Sequence, residues 1–483
     1  MTQPVHKDRS PGIKLILVGV IGFVLSVPLM MIWALVWDRQ SQSNTAQQSI
    51  NQGWGGSQVI AGPVIVVPFR TTQTQTEQID GKTVSRVVEV EKYLYISPTE
   101  NKVTTKVDPQ ERKKSIYRSV LYEAAITGAA KFELPADLPR FGVTRERLLW
   151  DRAELRMGAS DSRGLTKGGT LKVNGNALAV QPGKGPGATG GEGFFAFLPW
   201  SGEGALSVDY AFGLRGSRSL SLVPRGGNTT WDVSSAWNSP SFGGAFLPEK
   251  RDVRDTGFKA SYVVDKLALG QAPVSTDDQG PPAIDEGSGG DGKMAYRETS
   301  AVAVSANNPA SGGAIESISG QARAVTVGLV EPVNLYSKVD RSVKYGFLFI
   351  GFTFVAFLLF DVVGGARVAS AEYLLTGAGL VLFFVLLLAF AEVVGFTPAY
   401  VVASGAIIGL LSAYSAAVLK SWRRGQFIGA MLTGLYALLF VLLNLEAWSL
   451  LIGSVLLFAA LAGVMFATRK VDWNNVGKAE IAA

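Results

Sequence analysis

By residue type and spacing, the positions best suited to chemistry are Asp161 and Arg163, in the run Ser160-Asp161-Ser162-Arg163-Gly164. An arginine fork beside a carboxylate can take a ligand carboxylate or phosphate through paired N–H donors. The same five residues also suit a turn, with Asp161 and Gly164 making the bend and Arg163 paired internally. A second cluster is aromatic: Trp237, Phe242 and Phe246 sit among prolines and glycines in the stretch 235–248. Exposed rings of this kind grip glycan or lipid, whereas rings turned inward plug a core. Both alternatives stay open for each cluster.

Enzymatic chemistry finds little footing. The chain has no cysteine and one histidine, His6. That composition removes disulfide scaffolds, thiol nucleophiles, Cys/His zinc sites and any Ser-His-Asp triad. Carboxylates are plentiful, but linear spacing cannot bring two of them to the ~5–10 Å that glycoside hydrolysis requires. Ser/Lys dyads are equally unsupported. Gly183-Lys184 lacks the following Ser or Thr and the preceding strand of a phosphate-binding loop. The sequence predicts a protein that is not an enzyme, with no catalytic residue, cofactor or metal. The competing expectation is a hydrolase acting on lipid or glycan.

The elements that must position these residues follow from composition. Of the 483 residues 47% are hydrophobic and only 17% charged, against about 25% charged in soluble domains. Residues 15–37 carry no charge and end at Trp33 and Trp37. They are long enough to cross ~30 Å of hydrocarbon and are read as an uncleaved anchor with interfacial tryptophans. Five more apolar runs follow at 345–360, 373–391, 397–419, 425–443 and 447–467. Six spans are therefore predicted. Gly405 and Gly409, and again Gly425 and Gly429, have the four-residue spacing that lets helices approach closely. Packing within this bundle is expected, with a dimer face as the alternative. No ionisable residue lies in the middle of a span, and Asp361, Glu392 and Glu446 are expected to be hydrated boundary residues.

Between the first and second spans, short β-branched or aromatic runs alternate with turn residues, for example at 58–69, 83–96, 207–214, 219–223 and 257–264. This pattern predicts a β-rich, sandwich-like domain over 38–344, entered through a polar helical stalk at 38–52. Gly- and Pro-rich segments at 181–193 and 271–293 are expected as mobile insertions. Orientation follows from the basic residues of the short connections. With the N-terminus cytoplasmic, Lys7, Arg9, Lys14, Arg367, Lys420, Arg423, Arg424, Arg469, Lys470 and Lys478 all lie inside, and the two short outer connections hold none. The formal net charge of +6 is then mostly topogenic, and nucleic acid is not an expected partner.

Several motifs add a resemblance. Trp54, Gln58 and Gly62-Pro63 are followed by Ser160-Asp161-x-Arg163-Gly164 and by Gly216-Ser217 with Leu220 and Pro224. The aromatic stretch 235–248, residues 341–354, Ser421-Trp422-Arg423-Arg424-Gly425 and the closing Arg469-Lys470-Val471-Asp472-Trp473 complete the set. Together they resemble the CreD family, inner-membrane proteins associated with cell-envelope integrity and colicin tolerance. The resemblance implies a Gram-negative inner-membrane protein linked to envelope stress, without an enzymatic activity to carry across. It departs where the family commonly has histidines: Ala369-Ser370 replaces His-Pro, and Trp237-Asn238-Ser239-Pro240 replaces a Trp-Pro-His-Pro form. On this reading residues 1–37 are a cytoplasmic tail and anchor, and 38–344 a periplasmic domain. Residues 345–470 are then a five-helix bundle and 471–483 a cytoplasmic tail. Expected partners are the lipid bilayer and an envelope lipid, glycan or protein, contacted through Asp161, Arg163, Trp237 and Phe242. The sequence does not fix the oligomeric state.

Overall fold

The computed structural model describes residues 11–79, 82–114, 117–166, 168–283, 318–329, 335–362, 368–444 and 449–469. Helix α1 (Pro11–Gln52) begins four residues before the uncharged run and continues without a break through the polar segment after Trp37. Side chains four apart hold that polar part helical: Gln42 donates to Asp38 at 2.8 Å and Gln40 to Asn44 at 3.1 Å. The chain forms two compact units, Ala46–Pro332 and a second made of Met1–Thr45 with Val333–Ala483.

The first unit is β-rich. Its strands are β1 (Gln58–Ile79), β2 (Lys82–Ile96), β3 (Glu100–Lys114), β4 (Tyr117–Phe132), β5 (Glu154–Ala159), β6 (Thr170–Val173), β7 (Asn176–Ala177), β8 (Gln181–Pro182), β9 (Gly193–Phe197) and β10 (Leu206–Ser217). They continue as β11 (Ser219–Val223), β12 (Asn228–Ser235), β13 (Pro240–Gly244), β14 (Lys250–Arg254), β15 (Gly257–Val264), β16 (Val274–Ser275), β17 (Asp278–Gly280), β18 (Ile318–Gln321) and β19 (Val325–Leu329), with a short helix α2 (Lys266–Leu269) after β15. One sheet runs β13-β19-β11-β1-β5-β9-β8, with β2 branching from β1 and β16 pairing with β2. The other runs β14-β15-β12-β3-β4-β10-β6-β7. Both are mixed, because β1 lies parallel to β11 and β12 parallel to β3.

Alternation decides which side chains turn inward. Along β10, Leu206, Val208, Tyr210, Phe212 and Leu214 are buried while Ser207, Asp209 and Arg215 face out. Inward residues of both sheets form one core, in which Trp231 stacks on Tyr262 at 5.3 Å and donates its indole N–H to Thr105 at 2.9 Å.

Residues 181–193, expected as a mobile insertion, are instead tied into the fold. Gly183 and Gly185 donate to Gly193 and Gly191, and Ala188 and Thr189 are buried. The expectation failed because it counted apolar side chains, whereas backbone hydrogen bonds and one carboxylate do the ordering. That carboxylate is Asp278, from the second supposed insertion. It accepts from Arg225 and from the Gly187 amide at 2.6 Å each, and from the Gln279 amide at 2.8 Å. Arg225 and Asp278 are both 5% exposed. The remainder of that insertion, 284–293, lies outside the described residues.

The second unit is helical: α1 with α3 (Leu335–Lys344), α4 (Gly346–Val362), α5 (Ser370–Val394), α6 (Phe396–Val418), α7 (Trp422–Asn444) and α8 (Ser449–Thr468). Five of its helical segments are long and apolar enough to cross a membrane, namely Leu15–Asn51, Leu335–Asp361, Ser370–Val394, Phe396–Val418 and Trp422–Asn444. α8 is a further apolar helix. The β-rich segment is narrower than 38–344 because α3 is amphipathic: Tyr336, Val339, Ser342 and Val343 are buried within the helical unit. From α1, Leu25, Leu29, Ile32 and Val36 form the buried stripe, seated where Gly346 and Gly377 leave room.

Gly425 and Gly429 do pack within the bundle, against Ala416 and Ser412 of α6. Gly405 and Gly409 do not. They lie on an exposed face of α6 with nothing within 4 Å of a Cβ built there, because α6 turns the opposite face to α5 and α7. Glu392 is no free boundary residue either, since it accepts from Tyr336 at 3.3 Å and lies 3.8 Å from Arg39. Asp361 is buried, and Glu446 falls outside the described residues.

Breaking a buried ion pair by removing one partner typically costs about 3–5 kcal/mol, because it strands the other charge. Asp278→Ala is expected to lower the thermal midpoint of the purified chain accordingly and to expose 181–193 to protease. Replacing Asp278 and Arg225 together by leucine and methionine should cost much less. An unchanged midpoint in the single variant would contradict the account of Asp278 as the tie.

Candidate functional site

The dispersed motif residues of the β-rich unit converge on one buried side chain, Gln58, which begins β1. Its amide nitrogen donates to the carbonyl of Arg215 at 3.0 Å and of Asp161 at 3.4 Å. Its oxygen accepts from the Asp161 amide at 3.2 Å and the Ser160 hydroxyl at 3.3 Å. Ser160 in turn accepts from the Val59 amide at 2.9 Å. One side chain thus joins the start of β1, the loop after β5 and the end of β10.

The glycines of these motifs make the convergence possible. A Cβ on Gly55 would lie 3.0 Å from the Arg215 carbonyl oxygen, one on Gly164 would lie 2.6 Å from the Gln58 amide nitrogen, and one on Gly216 would strike the Tyr122 hydroxyl. Tyr122 is fully buried and donates to the Ser219 carbonyl at 2.8 Å. Burial pushes its hydroxyl far above the ordinary tyrosine range, so it remains a donor. Ser217 closes the ring by donating to the Gly55 carbonyl at 3.1 Å. Gly62-Pro63 marks a bulge, where β1 shifts register against β5.

This knot presents Asp161 and Arg163 at the surface. Asp161 caps the turn Ser162–Gly164 by accepting the Arg163 amide at 3.0 Å. The Arg163 guanidinium adds Nε at 2.9 Å and Nη2 at 2.7 Å to the two carboxylate oxygens. The internal pairing that the sequence left open is therefore formed, and the side chain of Arg163 still stands 71% exposed. The Arg163 guanidinium holds the Asp161 carboxyl below the usual carboxylate range. A lowered folded pKa means the pair contributes fully above about pH 4 and is lost only as pH falls through that lower value.

Sequence reasoning missed the neighbours on the adjoining surface. Two guanidinium carbons, of Arg215 and Arg112, lie 4.6 and 5.3 Å from the centre of the Trp54 ring. Arg215 also pairs with Glu123 across the sheet at 2.9 Å. Of these only Trp54 carried a sequence signal, as one of the motif residues behind the family resemblance. Arg112, Glu123 and Arg215 come from strands far along the chain.

The aromatic stretch takes the core alternative. Trp237 and Phe242 are partly buried against the main core. Trp237 donates to the Ser239 carbonyl at 3.1 Å and Phe242 meets Phe258 edge-on at 5.8 Å. They are not an exposed grip, because β13 pairs with β19 and draws them over the sheet margin. Among the described residues no group of three or more His, Cys, Asp and Glu could hold a metal ion. The buried acids of the β-rich unit are held by cations: Glu154 by Arg156 and Lys184, Asp278 by Arg225.

Gln58→Leu would take the Gln58 partner from the Asp161 amide and the Arg215 carbonyl, at about 1–3 kcal/mol for each buried group left unpaired, while the Ser160 hydroxyl keeps the Ser57 carbonyl at 3.4 Å. A large drop in thermal midpoint is expected for Gln58→Leu, and at most a small one for the surface change Arg163→Gln, because an exposed ion pair contributes little. Equal stability of the two variants would show that Gln58 does not hold the loop.

The family model described as inner membrane protein CreD matches residues 10–474. Inner membrane protein CreD of Escherichia coli (strain K12) is 32% identical over 461 residues, covering 93% of this chain and 91% of that protein. Among solved structures, an M1 zinc metallopeptidase of Deinococcus radiodurans aligns at a TM-score of 0.19 and 7% identity, over 34% of this chain and 38% of that one. A substrate-bound form of the same enzyme gives 0.20 and 8%, over 70% and 86%. Likeness this low carries no argument about fold or activity. The match over nearly the whole chain does: this protein belongs to the family of the inner membrane protein CreD.

Proposed function

We propose that this CreD-family protein supports cell-envelope integrity and the response to envelope stress without catalysing a reaction. In this reading six helices cross the inner membrane, both termini are cytoplasmic, and the β-rich unit is a sandwich-like periplasmic domain. It binds an envelope component, whether lipid, glycan or protein. The observation that carries the reading is the Gln58 knot: family motif residues from three separate segments fix one loop and hold the Arg163 fork rigidly toward solvent. A guanidinium already held by Asp161 loses little freedom when it meets a ligand carboxylate or phosphate. The orientation is supported by ten basic residues in the inner connections and none in the two short outer ones.

The absence of native cysteine makes orientation directly testable. Ser162→Cys should react with a membrane-impermeant maleimide in cells whose outer membrane alone is permeabilised, and Lys478→Cys only after lysis. The opposite pattern would overturn the placement. For function, Arg163→Gln is expected to sensitise cells to envelope-active detergent at wild-type protein level and near-wild-type thermal midpoint, with partial rescue by Arg163→Lys. Wild-type resistance in Arg163→Gln would remove this loop as the binding element.

A further inference from the structure

The run Ser421-Trp422-Arg423-Arg424-Gly425 takes no part in the site above. It ends the short turn out of α6 and opens α7. α6 closes with two hydrogen bonds, Ser421 N–H to the Ala416 carbonyl at 3.1 Å and Lys420 N–H to that of Ala417 at 3.2 Å. This closure puts one residue in the left-handed region, a place that favours glycine. Here it is Lys420, at φ 48°. Gly425 then brings the first turn of α7 onto α6, where its Cβ would lie 2.6 Å from that of Ala416. The turn is short and fixed.

Its side chains are those of an anion site at a bilayer surface. Lys420 and Arg423 are exposed and have no ion-pair partner among the described residues. Arg424 lies over the Phe360 ring at 5.8 Å. Trp422 is 68% exposed. No acid lies in the first turn of α7, whose leading amides have no acceptor within the helix and add partial positive charge. Of the acids on the adjoining helix ends, Asp361 is buried and Glu372 already accepts the Ala369 amide at 2.6 Å. Below Arg423 on the same face of α7 run Phe427, Ala430, Gly434, Ala437 and Val441, all exposed, which form a shallow apolar track.

We propose that the α6–α7 turn binds the headgroup of an anionic phospholipid, with the phosphate held by Lys420, Arg423 and the α7 amides and an acyl chain lying along the track below Arg423. The proposal rests on the reading that these helices cross a bilayer. Topogenic charge alone does not explain the arrangement. Basic residues anywhere in a short loop satisfy that rule, yet here a lysine occupies a backbone position that favours glycine, beside an exposed indole and above a furrow of small residues. The acyl track is what distinguishes a lipid from free phosphate as the occupant.

The test uses the full chain in mixed micelles containing brominated-tail phosphatidylglycerol or brominated-tail phosphatidylcholine. The Trp422 signal is taken as wild type minus Trp422→Phe. Phosphatidylglycerol is expected to quench it at a several-fold lower mole fraction than phosphatidylcholine. Lys420→Gln with Arg423→Gln should make the two lipids equal. Lys420→Gly suits the left-handed backbone better, so it should keep or raise the thermal midpoint while reducing the preference. Equal quenching of the wild type by both lipids, or displacement by inorganic phosphate at matched concentration, would overturn the headgroup site and leave the spans standing. Quenching by neither lipid would overturn the reading of these helices as spans, and the site with it.

Discussion

A side-chain amide with no access to water must find partners for both its oxygen and its nitrogen, or cost the fold the desolvation of each. Gln58 meets that constraint by drawing together three segments more than a hundred residues apart in part. Once its partners are set, the rest follows locally. Ser160 is pinned to β1, Asp161 caps its turn, Gly164 and Gly216 must lack side chains, and Arg163 has one direction in which to point. The knot explains why motif residues so scattered in the chain are of these types: together they build the presentation of one exposed fork.

The same economy governs the charges. Inside the β-rich unit, Asp278 and Glu154 are each met by basic side chains at hydrogen-bond distance, and the Asp278 carboxylate also takes two backbone amides. These acids spend their charge on holding loops, which is structural work. In the helical unit Glu392 is likewise engaged, by Arg39 and Tyr336. Lys420 and Arg423, which are exposed and have no ion-pair partner among the described residues, stand at the start of α7.

Much of this was legible in the residues. The strand runs at 58–69 and 83–96 fall in the arms of the β1–β2 hairpin, because β-branched and aromatic residues crowd both, and the run at 207–214 falls in β10, where period-two burial is written into the order of side chains. The failures share a cause. Residues 181–193 look unfoldable by composition, yet Asp278 reaches them from ninety residues away. Gly405 and Gly425 have the same spacing motif, but only the second faces a neighbour. Trp237 and Phe242 could have faced either way until the pairing of β13 with β19 turned them toward the core.

What the sequence determined by itself was the membrane helices and the family, because an uninterrupted apolar run and an ordered set of motifs are properties of the chain read in a line. Tertiary structure alone decided which glycine receives a neighbour, which acid is neutralised and which arginine is left facing solvent. Those outcomes depend on contacts of about 3 Å between residues far apart in the chain, and no local pattern encodes a distance of that kind.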